Sequence, residues 1–340
     1  MIAPSKFISS ALVMLSLMPG VTNVVAAEWP ARVFAPYMYI GHGDKFKLTD
    51  CDDACGLKYY TLAFIIARQE GTGKDVKYLK EPSWDGRFPM ERDVYKDQIV
   101  AIRKRGGDVI MSFGGEGGKE MANIIDDTTQ LEAAYQQVID RYKFTWMDFD
   151  VEGGNLNKGK QDSERRNTAL ASLQKKNPGL IISYTLPVDP NGISQQSQAL
   201  LADARAKGVK VHSANLMVMY FGKRFTDQGK SEGQLGIDSA GKARGQLQKI
   251  DPAIQIGLCP CLGRNGSGGE VFTFDDAKTL KAFADQTPWV CSLHYWCIND
   301  DASPRRGKKA ATAAEGIDTT GAAPPQPLAF ANLFKTFTSH

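Results

Sequence analysis

Short apolar runs recur along the chain, and longer amphipathic stretches separate them. Runs rich in β-branched and aromatic residues predict strands, whereas apolar positions three and four residues apart predict helices. The predicted strands are 33–40, 59–67, 108–113, 145–151, 180–185, 214–220, 254–258 and 289–296. The predicted helices are 48–56, 93–105, 129–142, 163–175, 195–207, 240–250, 274–285 and 327–337. Strands and helices therefore alternate along the chain.

This alternation predicts an α/β fold. Eight strand–helix units over roughly 300 residues are what a (β/α)8 TIM barrel requires. A doubly wound open sheet would also alternate, but its usual glycine-rich first turn is missing after the strand at 33–40. We therefore predict a single-domain barrel over residues 28–340. A segment rich in Ala, Gly and Pro, at about 303–327, is interpreted as a solvated loop before the last helix.

The N-terminus has the order of a secretory signal peptide. Lys6 precedes an apolar stretch at 7–18, which small residues follow up to a plausible cleavage site after Ala27. The alternative is an uncleaved anchor. No later segment reaches the ~18 apolar residues that a transmembrane helix needs. We therefore predict that residues 1–27 are removed and that the mature protein is secreted, extracellular or periplasmic, without membrane association.

Charge and composition exclude some partners. Lys plus Arg number 41 against 38 Asp plus Glu, so no basic excess indicates nucleic-acid binding. The 42% hydrophobic content is ordinary for a soluble globular protein. We expect a monomer.

Six cysteines in an exported chain make disulfides possible. Cys51 and Cys55 pair only if their predicted helix is distorted, because residues four apart on a helix are too distant. Cys291 and Cys297 lie along one predicted strand and cannot pair with each other. Cys259 or Cys261 is in reach of Cys297, and the connectivity stays open.

The densest chemical signal is the segment from Trp146 to Gly154. Strand side chains alternate, so Asp148, Asp150 and Glu152 share one face with Trp146, while the intervening apolar residues share the other. In a barrel the apolar set suits the helix side, which directs the three carboxylates inward near the mouth and leaves Trp146 deeper. Barrel enzymes carry out their chemistry at this mouth.

Three carboxylates about 6–7 Å apart cannot all ionise cheaply in a partly dry site. At least one proton is therefore retained near neutral pH, which suits the protonation of a glycosidic oxygen. A calcium loop is one alternative, but it needs a Glu at its twelfth position, which here is Gly159. A solvated acidic edge is the other, and it conflicts with the interleaved Phe149 and Val151.

The segment Asp148-Phe149-Asp150-Val151-Glu152 resembles the acidic motif of glycoside hydrolase family 18 chitinases. Further matches follow in the right order along nearly all of the mature chain, which resembles the bacterial and fungal single-domain branch. They are 33–37 on the first strand, 60–64 on the second, Ser112-Phe113-Gly114-Gly115 on the third, 258–263 on the seventh and Tyr295-Trp296 on the eighth.

The resemblance implies substrate-assisted, retaining hydrolysis of β-1,4 bonds between N-acetylglucosamine units, with no cofactor and no metal. Glu152 would be the acid and then the base. Asp150 would hydrogen-bond the substrate's acetamido N–H, and Asp148 would share a proton with Asp150. On this interpretation Glu152 keeps a proton ready while its neighbours stay charged.

Two positions depart from the family pattern. The acidic motif usually begins with another Asp three residues before Asp148, where this chain has Thr145. The sixth strand usually ends in a Tyr-Asp or Asp-Tyr pair, where this chain has Tyr220-Phe221. The hydroxyl that holds the acetamido oxygen can then come only from Tyr220, in a register uncertain by one residue. Met217 and Met219 are interpreted as core filling.

The remaining candidates bind substrate or support the acids. The resemblance makes Trp296 the floor under the reacting sugar, and Trp84, in the loop at 82–86, is a candidate for stacking farther along the groove. Ser112 and Tyr37 are expected to donate to Asp148. The histidines are interpreted as structural, His42 on a mouth loop and His294 on the eighth strand.

The short interval between Cys261 and Trp289 leaves no room for an additional wall domain, which predicts an open groove and internal cleavage of the chain. The sequence therefore predicts a secreted endo-acting chitinase that binds chitin or chito-oligosaccharides. Two alternatives stay open: an endo-β-N-acetylglucosaminidase acting on N-linked glycans, and a non-catalytic chitin-binding barrel protein.

Overall fold

A computed structural model describes residues 28–41, 47–71, 73–157, 159–265, 270–303 and 326–338. The predicted signal peptide, His42 and most of the predicted loop at 303–327 lie outside the described residues.

Eight parallel strands close into a barrel. Closure depends on the first strand, which is interrupted: Val33–Phe34 pairs with the eighth strand, and Tyr37–Tyr39 pairs with the second. The other strands, in chain order, are Tyr59–Glu70, Asp108–Gly114, Trp146–Asp150, Ile181–Asp189, Val211–Met217, Gln255–Leu258 and Val290–Leu293. The predicted (β/α)8 barrel is confirmed.

Helices follow the strands and cover the outside of the barrel. In chain order the α-helices are Leu48–Cys55, Lys96–Lys104, Thr128–Tyr142, Gly153–Asn157, Lys160–Lys176, Gln195–Ala206, Lys223–Thr226, Glu232–Ile250, Phe274–Gln286, Ile298–Ala302 and Ala329–Phe334. Single 3-10 turns lie at Gly73–Asp75, Met90–Arg92, Met121–Asn123 and Lys335–Phe337.

The helix predicted at 240–250 begins eight residues earlier, at Glu232. Ser231 caps it, because its hydroxyl accepts from the backbone N–H of Gln234 at 3.3 Å. Glycines at 233, 236 and 241 interrupt the helical pattern and hide this start in the sequence.

Short antiparallel strands extend the mouth of the barrel. Lys77–Trp84 pairs with the outer half of the second strand and with Phe88–Pro89. Gly192–Ile193 folds back on the fifth strand, and Gly263–Asn265 pairs with Glu270–Phe272 after the seventh. These additions follow the carboxyl ends of barrel strands, where the loops of a TIM barrel build its site.

The amino end of the barrel is closed by aromatic packing. Trp146 is buried, as predicted, and Trp29 meets it edge to face with ring centroids 5.0 Å apart. The Trp29 indole donates to the Thr145 hydroxyl at 3.0 Å. Thr145, the departure from the family motif, therefore helps to seal this end.

All six cysteines lie in the described residues, and each is a buried free thiol. None of the described helices combines the length and apolar character needed to cross a bilayer.

Candidate active site

The two faces of the fourth strand have opposite surroundings. Phe149 faces the helices and packs on Phe113, with ring centroids 5.2 Å apart, and on Tyr135. Asp148 and Asp150 face the barrel interior, and Glu152 follows at the mouth. The alternation of side chains along a strand therefore places the acids as predicted, on the inward face.

Asp148 is fully buried and saturated with hydrogen bonds. Side chains from the first, third, fifth and sixth strands converge on its two oxygens at 2.7–3.1 Å: Tyr37, Ser112, Ser183, Thr185 and Asn215. Burial raises the pKa of Asp148, and these donors oppose that rise. Asp148 is therefore held rigidly, and the contacts from Tyr37 and Ser112 are those expected from the sequence.

Asp150 has the opposite environment. It is 5% exposed, and its Oδ1 atom is buried without a hydrogen-bond partner among the described residues. Burial raises the pKa of Asp150 well above its usual value, and the nearby charges of Glu152 and Asp148 raise it further. A hydrogen bond links Asp150 to Glu152.

Glu152 lies closer to solvent than Asp150. Burial and the charge of Glu116 raise its pKa to about 7, while the hydrogen bond from Asp150 opposes the rise. The pKa of Asp150 is thus raised as well as that of Glu152, by burial and by the charges of the neighbouring carboxyls. A proton held by Glu152 alone, with both aspartates charged, stays a prediction.

An open cleft of about 530 Å³ lies over these carboxyls. Asp150 and Glu152 form part of its base, together with Thr185 and Cys259. The other lining residues come from the mouth of the barrel: Tyr37, Tyr39, Phe64, Ile66, Gln69, Asp85, Arg87, Gly114, Glu116, Gly117, Gly118, Met217, Met219, Tyr220 and Trp296.

Trp296 forms an aromatic wall of this cleft with Phe64. The two rings stack with centroids 5.6 Å apart and planes 11° apart, and Tyr37 and Tyr39 pack nearby. An aromatic face of this kind suits the apolar face of a pyranose ring. The structure thus brings Trp296 into the cleft that holds Asp150 and Glu152, whereas sequence analysis did not identify Phe64.

The sixth strand ends at Met217, and Tyr220 stands in the turn beyond it. Tyr220 has a left-handed backbone, with φ of 54°, and is half exposed in the cleft. Its hydroxyl lies 3.9 Å from the Cys261 sulfur. Met219 is buried in the core and Met217 packs against it, as interpreted from the sequence, and both also line the cleft.

Trp84 does not belong to the site, and the prediction that it stacks on a sugar is wrong. The segment that carries it pairs as a strand with the extended second strand, which turns the indole into the protein. Trp84 is fully buried, and its N–H donates to the Tyr142 hydroxyl at 2.8 Å.

His294 is buried beneath the cleft and bonds the Ala35 carbonyl at 2.8 Å and the Ser292 hydroxyl at 3.0 Å. Burial lowers its pKa to about 4, so it is neutral near pH 7. These contacts are those of a structural residue.

Glu116 is one of the charged cleft residues that sequence analysis missed, along with Asp85 and Arg87. It follows Gly114 and Gly115, whose positive φ values of 104° and 87° turn the chain across the mouth. The Gly-Gly pair at the end of a strand was visible in the sequence, but the direction of the next side chain was not. In the described residues no group of three or more His, Cys, Asp or Glu side chains is arranged to hold a metal ion.

Known proteins with similar sequences are chitinases, although no family model matches the chain. A protein named probable bifunctional chitinase/lysozyme, from Escherichia coli, is 28% identical over 91% of this chain. Endochitinase 11 from Metarhizium anisopliae is 28% identical over 74% of this chain. The chain spans 35% and 49% of the lengths of these two relatives.

Solved structures agree in fold. The catalytic domain of a hyperthermophilic chitinase from Pyrococcus furiosus is 29% identical, with a TM-score of 0.76 over 92% of this chain and 96% of that domain. Catalytic-site mutants of that domain have been solved in complex with chito-oligosaccharides. A family 18 chitinase catalytic domain from the fern Peteris ryukyuensis, 13% identical with a TM-score of 0.54, shares the fold.

Proposed function

We propose that this chain is a family 18 glycoside hydrolase, a secreted chitinase that cleaves β-1,4 bonds between N-acetylglucosamine units. The observation that carries the proposal is the pair at the base of the cleft. Asp150 lines the cleft and has one buried oxygen without a hydrogen-bond partner among the described residues, and Glu152 has a pKa of about 7. That pair offers one acceptor for an amide N–H and one proton for a leaving oxygen.

The proposed reaction begins when Glu152 donates its proton to the glycosidic oxygen as the bond to the anomeric carbon breaks. The substrate's own acetamido oxygen attacks that carbon from the opposite face and forms a cyclic oxazolinium ion. The Glu152 carboxylate then removes a proton from water, which opens the ring with retention of configuration and returns the proton to Glu152.

Asp150 supports the middle of this sequence. Its unpartnered oxygen accepts a hydrogen bond from the acetamido N–H. Once Asp148 has taken up the proton of Asp150, the negative charge left on Asp150 offsets the positive ring. Asp148, fixed by five side chains, keeps Asp150 at a defined distance from the sugar. The Tyr220 hydroxyl, exposed in the same cleft, is the donor proposed for the acetamido oxygen.

The aromatic wall and the open cleft support a polysaccharide substrate. Trp296 offers a flat apolar face beside the acids, on which the reacting sugar would stack. The described residues after the seventh strand form a short hairpin and a helix, which supports a cleft that a long chain can cross. We propose endo-action on this basis and export on the basis of the N-terminal segment.

The test is turnover of a fluorogenic chitotrioside by the wild type and by Glu152→Gln. Removing the proton donor while keeping its shape is expected to lower kcat by at least about 10³-fold, since the acid step and the base step are both lost. Glu164→Gln, on the surface helix Lys160–Lys176, is the control and should keep the wild-type rate.

Comparable rates for the wild type and Glu152→Gln would refute the assignment. Cleavage of N-glycans from a glycoprotein without cleavage of the chitotrioside would show the N-glycan activity instead. Release of disaccharide alone from long chitin chains at early times would contradict endo-action.

A further inference from the structure

The turn that carries Tyr220 has an unfavourable backbone. Tyr220 has φ of 54°, and Gly222 has φ of 83° with ψ of 157°, a region that is essentially restricted to glycine. A non-glycine residue in the left-handed region persists when surrounding contacts hold it there. The turn Tyr220-Phe221-Gly222 therefore needs an anchor.

Two buried side chains capture the N–H groups of this turn. The Tyr220 N–H donates to Asn265 Oδ1 at 3.0 Å, and the Gly222 N–H donates to Glu270 Oε1 at 2.7 Å. The Phe221 N–H also donates to Glu270. Asn265 and Glu270 face each other across the short hairpin after the seventh strand. The hairpin thus grips three consecutive amides of the sixth-strand turn.

A third buried residue orients Asn265. Its side-chain amide donates to Glu232 Oε2 at 3.1 Å and to the Gly263 carbonyl at 3.2 Å, which fixes the direction of its oxygen toward Tyr220. Glu232, Asn265 and Glu270 are each no more than 5% exposed. We call these three residues the turn anchor.

The turn anchor is expected to reduce the stability of the fold, because it buries two carboxyl groups. No ion pair with a described cation neutralises Glu232 or Glu270, and one oxygen of each has no hydrogen-bond partner. Burial raises the pKa of both carboxyls, and the nearby charges of Glu270 and Asp276 raise that of Glu232 to about 7. Uncompensated buried carboxyls destabilise a fold, so their presence needs a reason in the turn that they hold.

We propose that Asn265 and Glu270, with Glu232 behind them, are positioning residues that hold the Tyr220 hydroxyl at the substrate's acetamido group. The inference rests on the proposed function and extends it, since it names what sets the place of a residue that departs from the family pattern. The turn anchor acts through Tyr220 and touches neither substrate nor the acids.

A double-mutant cycle tests this coupling. We expect Glu270→Ala to lower kcat/KM for the chitotrioside by about 10- to 100-fold, the cost of misplacing a reacting group by about 1 Å. In a Tyr220→Phe background, which already lacks the hydroxyl, the same change should cost less than about 3-fold. Glu270→Gln keeps an acceptor oxygen and should stay within about 3-fold of the wild type. Asn265→Ala replaces Glu270→Ala if the latter does not fold.

Asp301→Ala is the matched control for destabilisation. Asp301 is equally buried and also accepts backbone N–H groups, but these belong to Phe330 and Ala331 and not to the turn of Tyr220. Its effect on kcat/KM should be the same with and without Tyr220→Phe. Equal costs of Glu270→Ala in the two backgrounds would overturn the positioning role.

Amide hydrogen exchange gives a readout that does not depend on activity. Glu270→Ala should speed exchange at Phe221 and Gly222, whereas Asp301→Ala should leave these amides unchanged. Unchanged protection in Glu270→Ala would overturn the turn anchor. A wild type that cleaves no chitotrioside, together with faster exchange in Glu270→Ala, would reject the proposed function while leaving the turn anchor in place.

Discussion

Buried acids lie on both sides of the fourth strand, but only those on one side have a cation beside them. On the helix side, Glu120 is neutralised by Arg166, with the two groups 2.9 Å apart and each no more than 1% exposed. Tyr135 donates to the same carboxyl at 2.5 Å. On the barrel side, Asp148, Asp150 and Glu152 have no cation among their described contacts, and the pKa of each is raised.

The presence or absence of a cation distinguishes an acid that stabilises the fold from the acids proposed to take part in the reaction. On the helix side the carboxyl of Glu120 is held in an ion pair with Arg166, whose guanidinium also lies over the Phe149 ring. Without a cation beside it, burial raises the pKa of a carboxyl, and Glu152, with a pKa of about 7, can hold a proton for a reaction at neutral pH. A cation therefore pairs with the buried acid of the helix side, whereas on the barrel side neutral donors hold Asp148, and Asp150 and Glu152 keep raised pKa values.

The largest expected effect is on the barrel side. Asp150→Asn should lower kcat for the chitotrioside by about 10²- to 10³-fold, because the amide cannot carry the charge that stabilises the oxazolinium ring. Its melting temperature should not fall, since the change removes an uncompensated buried acid. Steady-state kinetics and thermal unfolding at pH 7 measure the two effects.

Glu120→Gln is the matched control on the helix side. It changes a buried carboxyl outside the barrel and should keep kcat within about 3-fold while lowering stability, since it leaves Arg166 without its charged partner. Wild-type turnover by Asp150→Asn, or a large loss of turnover in Glu120→Gln, would contradict the separation of roles.

Sequence periodicity predicted the barrel side of this comparison well. The alternation of acids with Met147, Phe149 and Val151 defines the two faces of one strand. Neighbouring residues alone are enough to predict these faces. Trp296 also fell where the resemblance indicated. The same reasoning failed for Trp84, because the pairing that buries it depends on an extension of the second strand that no local pattern signals.

The next effect is expected on the helix side. Arg166→Met should lower the free energy of unfolding by about 3–5 kcal/mol, the usual cost of leaving a buried carboxylate without its partner. Urea unfolding at pH 7 measures it. The neighbouring Arg165 pairs with Asp162 nearer the surface, so Arg165→Met should cost about 1 kcal/mol. Equal losses for the two variants would show that burial of the Glu120–Arg166 pair does not increase its contribution to the free energy of unfolding.

The Glu120–Arg166 pair could not be predicted from the sequence. Its members are 46 residues apart, and charged residues surround both, so neither differs from an ordinary surface charge until the helices pack. The turn anchor was hidden for a similar reason, since Glu232 lies in a helix start that the glycine pattern obscured. Local patterns reveal faces of single elements, whereas contacts between distant elements require the fold.

The smallest expected effect concerns Glu116, the exposed carboxyl that lines the cleft with Glu152. The pKa of Glu152 is about 7, so kcat/KM of the wild type should fall as the pH rises above 7 and the acid loses its proton. A nearby negative charge opposes ionisation, and the Glu116 charge therefore helps to raise this pKa.

Replacing Glu116 by Gln should move this fall in kcat/KM to lower pH, by less than about 1 unit because the group is exposed and its field is screened. At pH 8 the variant should then be a few-fold slower than the wild type, with equal rates near pH 5. Raising the salt concentration should shrink the difference, whereas Glu164→Gln should show none. A pH profile of Glu116→Gln that coincides with the wild type would mean that burial alone raises the pKa of Glu152. The acids of the helix side and the barrel side would then differ only in whether a cation lies beside them.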